Sequence, residues 1–427
     1  MTAAPHDQTV PWSARMARRL VLRQFAAITN GRLVMRDALG ETAFGTESTA
    51  SPLHATVTIH DLSAYTHMLT SGSVGAAEGF MDGLWTCPDL TSLTRIFARN
   101  RPVLKTFGKG WALTGALRGL FQALRRNSRN GSRRNIAAHY DLGNDFFALM
   151  LDETMMYSCA VFDDEDTDLA AASRAKNDRI CRKLDLSDRD HVLEIGSGWG
   201  GFALHAAANY GCRVTTTTIS REQHRLATER IRAAGLQDRV TVLLSDYRDL
   251  SGQFDKAVSI EMIEAVGHQF LDTYFNVCSR LLKPDGAMVL QGITINERDY
   301  HASTRTVDFV KRYIFPGSCL PSVGSIANSI ARAADLRISH QEDLGAHYVL
   351  TLRAWRANFQ RNIDRVRALG YPDRFLRMWE YYLCYCEGAF AERHIGVSQF
   401  VFTKPLGRCS PQPAADSARV HARLEMA

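Results

Sequence analysis

A short apolar run that ends in a cluster of glycines, HVLEIGSGWGG at His191–Gly201, constrains the fold more than any other stretch of the chain. Such a run is typical of a buried strand that turns sharply into a helix whose N-terminus faces a nucleotide-like ligand. Glycines allow the backbone to approach a ligand closely because they have no Cβ. The motif therefore predicts a protein that binds a diffusible cofactor.

Strand and helix patterns alternate after this motif. The predicted strands are Val192–Ile195, Arg213–Ile219, Val240–Leu244, Ala257–Glu261, Ala287–Ile295 and Val397–Thr403. The predicted helices are Gly200–Tyr210, Arg221–Ala234, Phe270–Leu282, Thr351–Leu369 and Arg374–Glu392. Such alternation indicates an α/β fold with a parallel sheet and helices on both faces. Residues Asn296–Gly345 interrupt the pattern, and we expect them to form an inserted lid.

The length of 427 residues suggests two domains. We expect a smaller α+β accessory domain that binds lipid over residues 1–125, and a cofactor-binding domain over residues 126–405. The tail at 406–427 is mostly polar and contains proline, which is typical of disorder. The cysteines form no CxxC pair, which indicates a reduced, cytoplasmic compartment, and we expect no metal site.

Positive charge is concentrated between Arg101 and Asn135, where nine Lys and Arg residues occur without any Asp or Glu. Within this stretch, Leu104–Leu124 repeats apolar residues at a spacing of three to four opposite the basic residues. The pattern is typical of an interfacial helix drawn to anionic lipid. A solvated helix packed against the second domain is the alternative. No apolar run is long enough to cross a bilayer, so any membrane contact is expected to be peripheral.

The cofactor is indicated by where acidic residues occur, and do not occur, around the glycines. Gly196, Gly198 and Gly201 fit the dinucleotide spacing, but that fingerprint requires an acid about 20 residues further on. The next strand ends in TTTTI without one, and Trp199 would crowd a pyrophosphate. Glu194 precedes the glycines and suits the ammonium group of S-adenosylmethionine, which has no phosphate. We therefore favour S-adenosylmethionine, with NAD and a ligand-free loop as alternatives.

Between Asn135 and Pro405 the chain resembles the cyclopropane-fatty-acyl-phospholipid synthases. The blocks that carry the resemblance are Ala138–Phe162, Val192–Ala203, Thr218–Gln223, Ser245–Leu250, Tyr313–Ser322 and Gly345–Leu352, with Met81–Trp85 nearer the N-terminus. The resemblance implies a seven-stranded, Rossmann-like methyltransferase sheet and S-adenosylmethionine as methyl donor. It implies a cis double bond in an acyl chain of a membrane phospholipid as acceptor. It also implies cofactor contacts at Tyr157, Ser158, Glu194, Gly196, Gly198, Thr218, Gln223, Asp246 and Tyr247.

Methyl transfer to a double bond leaves a carbocation, which aromatic faces can stabilise. The candidate aromatic residues are Tyr140, Phe146, Phe147, Tyr157, Tyr313 and Phe315. Ring closure then needs a base. In the family this base is a bound bicarbonate, whose ligands match Cys159, Glu264, the backbone at Ile293 and Tyr348.

Two residues depart from the family pattern. Ala265 stands where cyclopropane synthases carry a histidine after the glutamate, and Gln291 stands where another histidine contacts the bicarbonate. Glutamine can hydrogen-bond an anion but cannot relay a proton. The sequence therefore leaves a cyclopropane and a methylene- or methyl-branched product open.

Two other kinds of activity remain open, a methyltransferase of soluble small molecules and a nonenzymatic lipid-binding protein. For the main hypothesis we expect a cytoplasmic protein at the inner face of the membrane, and we leave a homodimer open. A role in nucleic-acid binding is disfavoured, because no recognition motif accompanies the basic stretch.

Overall fold

The structure is a computed structural model that describes residues 11–47, 52–101, 103, 131 and 142–407. The predicted interfacial helix at Leu104–Leu124, the candidate Tyr140 and the tail from residue 408 lie outside the described residues. The chain divides into two compact units. The first comprises residues 1–117 and 371–392, and the second comprises 118–370 and 393–427.

The first unit combines a small sheet with helices. Its elements are α1 (Trp12–Phe25), β1 (Arg32–Asp37), β2 (Gly40–Phe44), β3 (His54–Ile59), α2 (Ser63–Met81), β4 (Trp85–Thr86), α3 (Leu90–Arg99) and α13 (Asp373–Ala391). The strand order is β2-β1-β3-β4, in which β1 and β3 are parallel and the other pairs are antiparallel. This arrangement agrees with the expected α+β accessory domain.

Helix α13 belongs to this first unit, although the sequence predicted it inside a continuous domain over 126–405. Glu392, which follows the helix, forms ion pairs of 2.8 and 2.7 Å with Arg95 and Arg99. Glu387 accepts a 3.1 Å hydrogen bond from Thr91. These partners are almost 300 residues away in sequence, so no local pattern could reveal them.

The second unit alternates helices and strands. Up to its fourth strand the elements are α4 (Asn144–Met150), α5 (Leu169–Lys183), β5 (His191–Ile195), α6 (Gly201–Tyr210), β6 (Arg213–Thr218), α7 (Arg221–Ala233), β7 (Val240–Leu244) and β8 (Phe254–Ile260). The remainder are α8 (Leu271–Leu281), β9 (Leu282–Ile295), α9 (Glu297–Ser303), α10 (Val323–Ala333), β10 (Arg337–Asp343), α11 (Gly345–Arg361), α12 (Ile363–Ala368) and β11 (Ile395–Thr403).

These strands form one seven-stranded sheet in the order β10-β11-β9-β8-β5-β6-β7. The strands from β9 to β7 are parallel, whereas β11 runs antiparallel to β9 and β10 runs antiparallel to β11. The chain order reverses at β5, which lies between β6 and β8. In parallel sheets ligands bind beyond the carboxyl ends of the strands at such a switch point. The predicted α/β methyltransferase sheet is therefore confirmed.

The predicted lid at Asn296–Gly345 contains a strand of the main sheet. Residues Arg337–Asp343 form β10, which pairs with β11 at the sheet edge. Its side chains are alternately exposed and half-buried, and most are polar, so the apolar alternation that predicts a strand is missing. In the part of the chain that the structure describes, no helix is long and apolar enough to cross a membrane.

Candidate active site

The glycine motif forms a tight turn between β5 and α6. Gly196, Gly198 and Gly200 have φ angles of 97°, 48° and 84°, which L-residues with a side chain rarely adopt. A Cβ at Gly198 would meet no atom within 4 Å, so open space lies beside the turn. A Cβ at Gly201 would lie 2.5 Å from the sulfur of Met156, so this glycine is needed for packing. The turn combines an open face for a ligand with a close-packed back.

Glu194, on β5, supplies a buried carboxyl group immediately before this turn. The residue is 2% exposed, and its Oε2 has no hydrogen-bond partner among the described residues. Burial raises the pKa of this carboxyl to about 8. A buried carboxyl oxygen without a partner is costly unless a cation or donor binds it. The site therefore fits the ammonium group of S-adenosylmethionine.

Thr218 and Gln223 lie together at the carboxyl end of β6. The hydroxyl of Thr218 donates a 2.7 Å hydrogen bond to Oε1 of Gln223, and both residues are buried. Ser220 caps α7 by accepting a hydrogen bond from the backbone N–H of Gln223. An amide whose oxygen is engaged can offer its NH₂ group to a ligand hydroxyl. The structure thus brings together two of the predicted cofactor contacts.

Asp246 and Tyr247 follow β7, the next strand of the sheet. Both carboxylate oxygens of Asp246 accept hydrogen bonds from the guanidinium of Arg248, at 2.8 and 2.7 Å. Tyr247 packs edge to face on Tyr274, with ring centroids 5.6 Å apart. A carboxylate retains further lone pairs after two such bonds, so Asp246 can still accept from a ligand amino group.

Tyr157 lies in a group of rings that we call the aromatic cluster, formed by Phe147, Tyr157, Phe315 and Trp355. The centroid of the Tyr157 ring is 5.2 Å from Phe147, 5.0 Å from Trp355 and 6.4 Å from Phe315. Phe146 contacts Phe147 at 5.4 Å. Tyr313, another predicted aromatic, contacts Phe309 at 5.7 Å. Trp355 was not predicted, because its position on α11 follows no motif that carries chemistry.

Lys176, on α5, is a buried cation that the sequence analysis missed. It is 0% exposed, and its Nζ donates a 3.2 Å hydrogen bond to the hydroxyl of Ser158. Burial lowers its pKa to about 8, although the carboxylates of Glu261 and Glu194 oppose this shift. One signal was available in the sequence. Lys176 lies four residues from Ala172 and from Ile180, on the buried stripe of its helix.

Glu261 is the centre of a hydrogen-bond network beyond the end of β8. Its Oε1 accepts hydrogen bonds of 2.8 Å from the backbone N–H of Cys159 and from Nε2 of Gln291. Its Oε2 accepts a 2.6 Å hydrogen bond from the hydroxyl of Tyr348. The sequence analysis placed Glu261 only at the end of a strand. Burial raises its pKa, while these hydrogen bonds lower it.

Glu264 lies beside this network in a short 3₁₀ turn, Ile263–Ala265. Its Oε1 accepts a hydrogen bond from the backbone N–H of Ile293. The resemblance had assigned this N–H to an oxygen of bicarbonate. Its Oε2 is buried without a partner among the described residues. Burial, with the nearby Glu261 carboxylate, raises the pKa of Glu264 to about 8. Two carboxyl groups in such proximity favour a state that shares one proton.

The orientation of Gln291 is set by a chain of amides. Oε1 of Gln291 accepts from Nε2 of Gln399 at 2.9 Å, and Oε1 of Gln399 accepts from the ammonium of Lys183 at 2.6 Å. A lysine can only donate, so both amides must direct their oxygens towards it. The NH₂ group of Gln291 is consequently directed towards the carboxylate of Glu261. Gln291 therefore donates a hydrogen bond to Glu261, a role that a neutral amide can fill.

Cys159 takes part through its backbone. Its thiol is 0% exposed, and burial raises the pKa well above the usual range, so the sulfur stays protonated. The Sγ atom is 3.3 Å from the carbonyl oxygen of Ala160. In residues 11–47, 52–101 and 142–407, His, Cys, Asp and Glu form no group able to hold a metal ion.

The residues present do not fit the bicarbonate that the resemblance implied. The backbone N–H of Cys159, the amide of Gln291 and the hydroxyl of Tyr348 all bind the Glu261 carboxylate. The backbone N–H of Ile293 binds Glu264. A bicarbonate would have to displace these contacts and would place a second anion beside the Glu261–Glu264 carboxyl pair, which repels it.

Comparisons with known proteins extend these findings. Residues 127–400 match the family described as mycolic acid cyclopropane synthetase. The chain is 38% identical to tuberculostearic acid methyltransferase UfaA1 of Mycobacterium tuberculosis, over 94% of this chain and 93% of that protein. It is 40% identical to the cyclopropane-fatty-acyl-phospholipid synthase of Escherichia coli K12, over 80% of this chain and 85% of that protein.

A solved structure shows the same fold. Mycolic acid cyclopropane synthase CmaA1, in complex with SAH and CTAB, is similar with a TM-score of 0.60 and 32% identity, over 64% of this chain and 98% of that chain. The resemblance stated from the sequence is thereby confirmed, as is the cofactor class. The chain belongs to the mycolic acid cyclopropane synthetase family and is an S-adenosylmethionine-dependent C-methyltransferase.

Proposed function

We propose that this methyltransferase transfers the methyl group of S-adenosylmethionine to the cis double bond of an unsaturated phospholipid acyl chain, through a carbocation, and forms a cyclopropane fatty acid. One observation carries the proposal, a continuous row of contacts from the cofactor residues to a base. Tyr157 packs on Trp355, and Trp355 packs on Tyr348 with centroids 6.0 Å apart. Tyr348 in turn donates its hydroxyl hydrogen bond to Glu261.

This arrangement suits an unreactive acceptor. An isolated double bond is a weak nucleophile, so the reaction needs a sulfonium donor and an environment from which water is excluded. Trp355 and Tyr348 are 1% and 5% exposed. Each aromatic face beside a cation contributes about 0.5–2 kcal/mol. The aromatic cluster can therefore stabilise the carbocation while the S-adenosylhomocysteine product leaves as a neutral thioether.

Two products balance without any further reactant. When the transferred methyl group loses a proton to a base, the electron pair of that C–H bond can close a cyclopropane ring. After a hydride shift, the same pair can instead form a methylene branch. A saturated methyl branch needs a hydride donor, which must come from a separate reduction. The branched product is the second candidate, because a relative that matches 94% of the chain is named a methyltransferase, not a cyclopropane synthase.

We also propose that the protein works at the cytoplasmic, inner face of the membrane, as a peripheral protein. The support is chemical, since the phospholipid acyl chains of a cell lie in its membranes. The name of the E. coli relative likewise specifies a fatty-acyl phospholipid.

Sedimentation equilibrium of the purified protein would show whether the homodimer left open by the sequence forms.

The test is a transfer assay with the full chain. Purified protein is incubated with vesicles of cis-unsaturated phospholipid and S-adenosylmethionine labelled with ¹³C in the methyl group. We expect label in the acyl chains, with proton and carbon NMR showing cyclopropane CH₂ signals. Methylene signals would establish the second candidate, because the two products have equal mass and only their NMR spectra differ.

Vesicles of fully saturated phospholipid are the control and should acquire no label. Absence of label in every unsaturated phospholipid would contradict the proposed function. Label in a soluble amine or natural product would then establish the soluble-substrate alternative.

A further inference from the structure

We infer that the carboxylate of Glu261 replaces the bicarbonate of related enzymes and receives the proton released from the transferred methyl group. The proton transfer in this inference rests on the proposed function. The occupation of the bicarbonate position by the carboxylate does not depend on that function. Three donors that the resemblance assigned to bicarbonate converge on Glu261, at 2.6 to 2.8 Å.

The backbone of Glu261 supports a functional reason for this side chain. Glu261 has a φ angle of +50°, in the left-handed region where residues with a Cβ are strained. Glycine would be favoured at such a position unless the side chain contributed something. The glutamate is half-buried, and three donors from different parts of the chain fix its carboxylate in place.

The proton balance follows from these contacts. A C–H bond of the transferred methyl breaks, and its electron pair forms the new carbon–carbon bond that neutralises the carbocation. The proton moves to Glu261, which becomes a neutral carboxylic acid and later releases the proton to water. No external anion is needed. Glu261 also explains why a neutral donor, Gln291, can stand where relatives use histidine, since the anion beside it belongs to the protein.

The first test uses the unaltered protein. Turnover is measured in buffer depleted of carbon dioxide and then with added bicarbonate. We expect the same rate in both conditions. A rate that rises several-fold with bicarbonate and saturates would overturn the inference.

The second test replaces Glu261 with glycine. E261G removes backbone strain and opens a space lined by the donors of Cys159, Gln291 and Tyr348. A missing general base lowers turnover by about 100-fold or more, and we expect formate or bicarbonate to restore part of it saturably. The matched control is D185G, because Asp185 is an exposed acid with φ +52°. This variant should keep full turnover without any response to formate.

A binding measurement separates this inference from the proposed function. Carbon NMR with ¹³C-bicarbonate should show binding to E261G and none to the unaltered protein, whatever the acceptor of the methyl group. Full turnover of E261G without an added anion would overturn the inference, as would bicarbonate binding to the unaltered protein. If E261G is inactive and neither binds nor responds to small carboxylates, Glu261 has only a structural role.

A different observation carries a second proposal, which rests on the proposed lipid substrate. We propose that the outer face of α1 docks on an anionic phospholipid surface. Trp12, Met16 and Leu20, four residues apart, are 77%, 44% and 38% exposed. The opposite face of the helix is buried through Ala14, Ala17, Val21, Leu22 and Phe25. The exposed apolar side chains of α1 therefore do not contribute to this buried core.

Positive charge runs beside these apolar side chains. Arg15, Arg19 and Arg23 recur at the same spacing, and none forms an ion pair within the described residues. Leu39, in the turn after β1, is 43% exposed and lines a cavity together with Arg15, Arg18, Arg19, Leu22 and Arg23. We call Trp12, Met16, Leu20, Leu39 and these three arginines the α1 surface. Exposed aromatic and aliphatic side chains beside unpaired arginines are typical of interfacial helices on anionic lipid.

Vesicle sedimentation tests the α1 surface. We expect the protein to bind vesicles that contain phosphatidylglycerol more tightly than phosphatidylcholine vesicles, and less tightly as salt increases. R15Q/R19Q/R23Q should weaken binding about 10-fold or more, since basic residues near such a surface are attracted to anionic lipid. The control is R189Q/R221Q/R232Q, which removes equal charge from exposed positions in the second unit.

Turnover on detergent-dispersed substrate should be equal in both triple variants. This separates loss of docking from loss of the reaction. Unchanged vesicle binding by R15Q/R19Q/R23Q would overturn the proposal. A second outcome would also overturn it. If W12S/M16S/L20S converts a dimer to a monomer in sedimentation but leaves vesicle binding intact, the face binds a second copy of the chain.

Discussion

The hydroxyl of Tyr348 donates a 2.6 Å hydrogen bond to Oε2 of Glu261, which lies 87 residues earlier in the chain. The contact joins the first turns of α11 to the carboxyl end of β8. It links the aromatic cluster to the carboxyl groups, because the Tyr348 ring also packs on Trp355. A single side chain therefore connects the region that would hold a carbocation to the group that would take its proton.

Replacing Tyr348 with phenylalanine should slow turnover without weakening cofactor binding. A hydrogen bond to a charged group contributes about 1.5–3 kcal/mol, which corresponds to a decrease of about 10–100-fold in kcat. Calorimetry of S-adenosylmethionine binding should give an unchanged Kd. The control is Y210F, which removes a tyrosine–carboxylate hydrogen bond to Asp178 and should leave kcat unchanged. A weaker cofactor Kd in Y348F would assign Tyr348 to the cofactor site instead.

Binding of S-adenosylmethionine should release a proton from Glu194. Burial raises the pKa of this carboxyl to about 8 in the free protein, so it is mostly protonated near neutral pH. The cofactor ammonium favours the ionised form, and binding therefore releases close to one proton below the free-protein pKa. Calorimetry in buffers of different ionisation enthalpy measures this number. E194Q should bind more weakly and release none, whereas equal proton release by E194Q would refute the assignment.

Stability without cofactor should fall as pH rises from about 4.5 to about 8. Glu264 has a raised pKa of about 8, so in this window the folded state keeps a proton that the unfolded state has lost. The contribution of Glu264 is thus complete below its unfolded pKa and is lost as the pH passes its folded value. One such group changes the free energy of unfolding by about 1 kcal/mol per pH unit.

Guanidinium unfolding at several pH values measures this slope. E264Q should make the slope shallower, because glutamine does not titrate, while Glu194 with its own raised pKa keeps part of it. The control E153Q alters an exposed glutamate and should leave the slope unchanged. An identical slope in E264Q and the unaltered protein would show that Glu264 ionises normally.

Replacing Phe315 with leucine should reduce kcat by about 2–30-fold, equivalent to about 0.5–2 kcal/mol of lost cation stabilisation. Phe315 is half-buried, so a leucine leaves a small cavity and the fold should persist. The measurement is the initial rate at saturating vesicles and cofactor. F375L is the control, since Phe375 is half-buried in a stacked aromatic pair of the first unit. An unchanged kcat in F315L would exclude this ring from the acyl site.

Much of the fold could be predicted because its signals are local. The strand from Val192 and the glycines after it lie in one continuous segment, and their conformations depend on short-range sterics. The edge strand β10 could not be predicted, because its polar side chains lack an apolar face. That helix α13 packs within the first unit could not be predicted for a different reason. Its apolar side chains specify that it must pack, but not against which part of the chain.

The candidate site divides in the same way. The sequence alone determined the cofactor class, since Glu194 and the missing later acid distinguish the cofactor classes through local spacing. Only the tertiary structure placed Glu261 and Lys176 in the site. Glu261 reaches Cys159, Gln291 and Tyr348 only after four separate elements meet. Convergence of distant donors on one carboxylate is a property of packing, and no periodicity or motif within a single segment encodes it.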